Sequence, residues 1–408
     1  GIWAVPIEAP PPLDCPLFQS RDGVRSVSNN LERRLVRGRV NSDDPPIEDG
    51  RVAMWVRVPE NLEVDPAFLA VLGDYVPWGA RDAVGGGMGG GGGTYIALSA
   101  MQVVPLGVPK FCLSTLAAKD LSRQVGVKDI TLMPSVVDVA GLNNISKLLI
   151  QQAAAAICGM VDVKIEESDN KKKSIAISMF GNTTKCVDKC TELLKDKGYE
   201  VLAFHATGVG GATMESLILE GCFDGILDIT TTELADDLCG GICSAGPERL
   251  TAASKKGIPQ VVVPGCLDMV NFAHLDTVPK EFKSRQLYSW APDVTLLRTN
   301  KIENKILGER LASKLNKSEA KTMVLLPKKG ISQIDSEGDI FYQPEVDHVL
   351  FESIKEHTKS SIPVIEMDAH INDETFAVAL VENKYTNKFV KKVFNSYKAS
   401  SGKKALLY

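Results

Sequence analysis

The chain has 408 residues, of which 44% are hydrophobic and 24% charged, with a formal net charge of -5. That composition excludes a disordered chain and leaves room for two or three ordinary cores. The mixed, weakly acidic charge excludes a field that gathers nucleic acid, and no apolar run reaches membrane-spanning length, so neither partner is expected.

Residues 1–83 are rich in proline and turn residues, with one alternating segment at 51–58 that predicts a strand carrying Val52 and Met54 on one face. At 65–77 the spacing of Phe68, Leu69, Leu72 and Tyr75 predicts a helix, opened by Asp65-Pro66 and closed by Pro77. Through residues 28–34, 55–58 and 67–76 this stretch resembles part of an acyl-CoA thioesterase of the hot-dog type. The likeness ends near Trp78, so it implies only a partial hot-dog-like segment. Residues 85–93 follow, all glycine except Met88, and mark a domain boundary.

Beyond the glycines, short apolar runs at 110–115, 130–134, 174–180, 200–204, 225–229, 259–263 and 322–326 alternate with helical stretches. Continuous apolar strands are those buried on both faces of a parallel sheet, and the predicted fold class is doubly wound α/β. The charged run at 166–173 reads as a linker. It separates a first lobe over 84–165 from a second over 174–384, and a basic tail occupies 385–408. Nine cysteines, an odd number set mostly in apolar segments, suit reduced thiols and a cytoplasmic location. The first residues lack a charged region leading into an apolar one, so no signal peptide is expected.

In an open parallel sheet, ligands sit at the carboxyl ends of the strands, where the next helix presents free N–H groups. Six such loops are rich in small polar residues. They are the run ending at Gly93 and Thr94, the pair Ser114 and Thr115, the stretch 134–141 with Ser135 and Asp138, and three more in the second lobe. Those three are 180–184 with Gly181, Thr183 and Thr184; 205–211 with His205, Thr207, Gly208, Gly210 and Gly211; and 228–233 with Asp228 and Thr231.

The glycine run suits either a phosphate loop or a flexible linker, and it lacks the Gly-Lys-Ser/Thr ending of a Walker A loop. The tight turn at 208–211 predicts free amides for an anion, with Gly210→Val weakening nucleotide binding. His205 would donate to a phosphate, shuttle a proton, or be hydrogen-bonded beneath the turn. Asp228, Glu233 and Asp236 offer oxygen ligands for a metal, but helix capping by Thr230 or Thr231 with an acidic first turn explains them better. Cys186 and Cys190, like Cys239 and Cys243, have no neighbouring histidine and read as buried thiols; no protein metal site is expected. Neither a G-x-S-x-G elbow nor an H-E-x-x-H pair is present.

Taken in order, the segments 87–94, 134–143, 179–184, 205–211, 227–233, 267–272 and 370–373 resemble the ATP-binding family that includes the inhibitory domain of the tomato mosaic virus resistance protein. The likeness covers about 85–381. It implies two Rossmann-like lobes with ATP, and magnesium as its candidate companion, in the cleft between them. It also implies self-association into a homo-oligomer, with no established reaction, and it leaves a protein partner open. Nucleotide contacts would then fall on Gly89, Gly90, Gly92, Gly93, Thr94, Ser114, Thr115, Ser135, Asp138, Gly181, Thr183, Thr184, Thr207, Gly208, Gly210, Gly211, Thr231 and Asn271. The family's first lobe starts with a strand and helix that residues 1–83 replace here, so a truncated first lobe is expected. The leading expectation is an ATP-binding regulatory or interaction protein. The alternatives are an enzyme acting on a nucleotide or sugar phosphate, with His205, Asp228 and Asp268 in proton or metal roles, and a remnant acyl-CoA thioesterase.

Overall fold

The computed structural model describes residues 92–138, 142–164 and 172–382, together with two strands upstream. The chain divides into two compact units, Gly1–Glu166 and Glu167–Tyr408.

In the first unit β1 (Glu32–Arg37) pairs antiparallel with β2 (Ala53–Arg57). β2 lies within the strand predicted at 51–58, β1 was not anticipated, and the helix predicted at 65–77 lies outside the described residues. Further on come α1 (Gly92–Met101), β3 (Lys110–Ser114), α2 (Ser122–Val125), β4 (Ile130–Pro134) and α3 (Asn144–Val161). β3 and β4 run parallel, with Lys110 opposite Ile130 and Ser114 opposite Pro134. A small core of Leu98, Met101, Cys112 and Leu121 sits beneath them. α3 starts from a capping box. The Asn143 side chain accepts from the Ile145 and Ser146 amides, and the Ser146 hydroxyl accepts from the Asn143 amide. Although α3 has 18 residues, only Ser146 and Ala153 are buried on it.

The second unit continues with β5 (Ser174–Met179), α4 (Thr184–Asp196), β6 (Glu200–His205), α5 (Val209–Glu220), β7 (Gly225–Thr230), α6 (Glu233–Cys239), α7 (Ala252–Lys256) and β8 (Gln260–Gly265). Next come β9 (Met269–Phe272), β10 (Leu287–Ala291), β11 (Val294–Arg298), α8 (Lys301–Leu315), β12 (Thr322–Pro327), α9 (Pro344–His357), β13 (Val364–Met367) and α10 (Glu374–Glu382). Six strands form one parallel sheet in the order β6-β5-β7-β8-β12-β13. The remaining three, β9 to β11, form an antiparallel sheet inserted between β8 and α8.

The period-two alternation of strand side chains explains why these runs are apolar without interruption. Ile175, Ile177, Val261, Val263, Met323 and Leu325 face a cluster that includes α4 and α10. Their neighbours Val262, Val324 and Leu326 face the opposite cluster, with α6, α8 and α9, while Ala176 and Ile226 meet α5 and α7. Both faces are therefore covered, as a parallel sheet requires. The chain goes outward from β5 to β6, then crosses back to β7 on the other side. The order reverses between β5 and β7, and that is where a doubly wound sheet opens a crevice at its carboxyl ends.

Candidate functional site

The loops that follow β5 and β7 are tied together at this reversal. The Thr183 and Thr230 hydroxyls lie 2.7 Å apart, and the Ser178 hydroxyl accepts from the Thr230 amide while donating to Asp228 at 2.7 Å. Thr230, Thr231 and Thr232 are all fully buried. Thr231 donates to the Val263 carbonyl, so neither it nor Thr230 caps α6, whose cap residue is Thr232 with no side-chain capping bond. The expected threonine capping is thus replaced by cross-links between strands.

Beneath these loops sits Arg249, fully buried. Its guanidinium is bidentate to Asp228 at 2.5 and 2.7 Å, reaches Glu233 at 2.5 Å and Glu215 at 3.2 Å, and donates to the Thr230 carbonyl. Glu215 in turn accepts from the amides of Leu250, Thr251 and Ala252, which open α7, and Leu250 holds a left-handed backbone at φ 68°. Burial raises the Glu233 carboxyl, and the neighbouring guanidinium opposes that shift. Asp228 is therefore a structural partner. Its oxygens are committed to Arg249 and Ser178, contrary to a proton or metal role.

Glu233 also decides the turn after β6. Its Oε1 accepts from the Gly208 amide at 2.7 Å and the Gly211 amide at 3.1 Å, so these two N–H groups, expected to be free for an anion, hold an internal carboxylate. The glycines are required by close packing. A Cβ on Gly210 would lie 1.9 Å from the His205 carbonyl oxygen, and one on Gly211 would lie 2.0 Å from Glu233. Gly210→Val consequently tests folding rather than nucleotide affinity.

Other predicted residues group nearby. Asn271 donates to Asp236 at 2.8 Å and to Thr232 at 3.2 Å, and burial pushes the Asp236 carboxyl up to about 7. Asp268 accepts from Ser332 at 2.7 Å through one oxygen, its other oxygen has no partner, and burial raises it to about 6. It belongs to a second buried cluster around Arg298 with Asp335 and Asp347. Asn182, in the β5 loop, is buried with its Oδ1 unpartnered. Gly181 is exposed, and the Thr184 hydroxyl turns back to the Phe180 and Gly181 carbonyls. His205 is exposed and stacks on Phe180, with centroids 5.5 Å apart and planes at 30°. It is not hydrogen-bonded beneath the turn. Thr207 donates to the His205 carbonyl.

In the first unit the strand ends gather Thr94, Ser114 and Ser135. The Thr94 and Ser114 hydroxyls are 2.6 Å apart, Ser114 accepts from the Leu116 amide, and the Ser135 amide donates to the Ser114 carbonyl. Gly92 and Gly93 begin α1, Thr115 and Asp138 are exposed, and Gly89 and Gly90 lie outside the described residues. No group of three or more His, Cys, Asp or Glu able to hold a metal occurs among the described residues, and their eight cysteines are free. A cavity of about 730 Å³ between α7 and α8 lies away from these loops, and its charges are largely paired, Lys255 with Glu248 and Arg310 with Asp237.

The missed residues are Arg249 and Glu215, and Glu233 was singled out without its role as their buried partner. Their only sequence signal is a charge set among apolar neighbours, as Glu215 is beside Met214 and Leu217.

Known proteins place this arrangement. The C-terminal domain of an uncharacterised protein family (UPF0261) matches residues 172–386, and the N-terminal domain of the same family matches 81–166. The chain belongs to the UPF0261 family. It is similar to a UPF0261 protein of Clostridium tetani, 49% identical over 296 residues that make up 72% of this chain and 73% of that protein. A UPF0261 protein of Mesorhizobium japonicum is 43% identical over 72% of this chain and 74% of its own length. The ToMV resistance protein Tm-1 of Solanum lycopersicum is 42% identical over 73% of this chain, which spans only 40% of that protein. The ToMV susceptible counterpart matches at the same 42%, so the similarity itself does not distinguish resistance from susceptibility. A monoacylglycerol lipase of Paleococcus ferrophilus aligns at 9% identity over 57% of this chain and 98% of its own, but its TM-score of 0.25 carries no argument. No helix among the described residues is long and apolar enough to cross a membrane.

Proposed function

We propose that this chain is an ATP-binding regulatory or protein-interaction protein whose nucleotide is received at the carboxyl ends of the second unit's parallel strands. The observation that carries this reading is the reversal of strand order between β5 and β7, with glycine, threonine and asparagine loops set at that reversal. Gly181 is exposed there and admits a close backbone approach, since a Cβ on it would meet nothing within 4 Å. The buried Arg249 network fixes the loops beforehand, which lowers the ordering cost of binding.

The test is calorimetric titration of the full chain with ATP in magnesium-containing and magnesium-free buffer. Saturable binding below millimolar nucleotide is expected, and no heat of binding at millimolar ATP removes the proposal. Among the described residues His205 has no hydrogen-bonded orienting partner and Asp228 is locked to Arg249, so these two do not form an acid–base pair.

A further inference from the structure

Two histidines lie at strand ends of the second unit, and they are held differently. The His370 ring is fixed through both nitrogens, Nε2 to the Ser332 carbonyl at 2.9 Å and Nδ1 accepting from the Asn372 amide at 3.1 Å. His205 has neither kind of bond: its ring nitrogens have no hydrogen-bond partner among the described residues, and its ring stacks on Phe180. Phe180 is anchored. It packs against the cluster of Cys266, Met269, Leu296, Ile334 and Phe341, so the ring below His205 is set by the core.

Val209, at the start of α5, is 69% exposed, and Ile242, in the loop after α6, is 59% exposed. These loops are close neighbours, since a Cβ on Gly208 would lie 2.7 Å from the Ser244 carbonyl oxygen. An exposed imidazole over a fixed phenyl ring offers a flat π face and two unused ring nitrogens. Flat faces of this kind hold planar heteroaromatic rings by stacking, with little preference among bases.

We infer that the Phe180–His205 stack, at the carboxyl ends of β5 and β6, is a platform for the nucleobase of the bound nucleotide, with His205 as the outer stacking surface. This rests on the nucleotide reading above and gives it an orientation: base over β6, phosphates toward the β5 and β7 loops.

The experiment titrates the full chain, as wild type, His205→Ala and His205→Phe, with ATP, adenosine and inorganic tripolyphosphate. Expected is a loss of about tenfold in ATP and adenosine affinity in His205→Ala. His205→Phe retains most of that affinity, and tripolyphosphate binding is the same in all three. ATP affinity unchanged in His205→Ala overturns the platform while leaving the nucleotide reading in place. An equal loss for tripolyphosphate overturns it too, by assigning His205 to the phosphates. If neither ATP nor adenosine binds the wild type, both the platform and the nucleotide reading fall. His205 is exposed, so its replacement leaves the core intact.

Discussion

Each of the two units ends its parallel strands in small hydroxyl residues, yet they differ in what stands behind those residues. In the first, Thr94, Ser114 and Ser135 meet above a single parallel pair of strands, and the 18-residue α3 leaves Leu148 55% exposed and Ile145 50% exposed. In the second, Thr183 and Thr230 meet above six parallel strands covered on both faces, with a buried arginine and three carboxylates beneath them. The same loop chemistry is thus rigid in one unit and thinly supported in the other. A binding loop gains precision from the layer under it more than from its own glycines and threonines.

The sharpest way to break this contrast is to remove the layer. Arg249→Met would strand the Asp228, Glu233 and Glu215 carboxylates in the interior, and a loss of about 3–5 kcal/mol is expected for the second unit. Denaturant unfolding followed by hydrogen exchange of residues 174–382 measures it, and a loss under about 1 kcal/mol would show that the network is not what holds the loops.

Gly210→Ala is expected to cost about 1–3 kcal/mol, because its Cβ would meet the His205 carbonyl oxygen at 1.9 Å. Chemical denaturation reads this directly, and unchanged stability would mean that the turn relaxes.

That pair of substitutions separates what the sequence shows from what it hides. The seven apolar runs from 110 to 326 are seven of the observed parallel strands, and in β5, β7, β8 and β12 the run is apolar because the strand is buried on both faces. β13 was not legible, being four residues long with Glu366 among them, and the β9–β11 insert was not legible because its polar alternation resembles loop. The loops at 180–184, 205–211 and 228–233 were visible as glycine and threonine clusters. Their internal partners were not, since Arg249 lies 21 residues from Asp228 and 34 from Glu215, and nothing in a local pattern pairs charges across such distances.

A third test uses pH. Burial holds Asp335 up to about 9, Asp236 to about 7 and Asp268 to about 6, all above their ordinary carboxylate range. A carboxyl whose folded value is raised binds its proton more tightly in the folded state, so its stabilising contribution is complete below about pH 4 and is lost as pH rises through the raised value. The second unit should therefore melt a few degrees lower at pH 9 than at pH 5 by calorimetry. An opposite trend would mean that these acids are ionised and compensated in the folded protein.

The smallest effect is expected on α3, where Leu148→Glu should change stability by no more than about 0.5 kcal/mol, since the side chain has little contact to lose. A larger loss in thermal unfolding would show that α3 is covered in solution.

Hydrogen–deuterium exchange of the full chain with and without ATP tests the central claim most directly, because it reports where the ligand sits as well as whether it binds. Slowed exchange at 180–184 and 205–211 is predicted. Slowing confined to the first unit, or absent from both at saturating ATP, would contradict a nucleotide site at the carboxyl ends of β5 and β6.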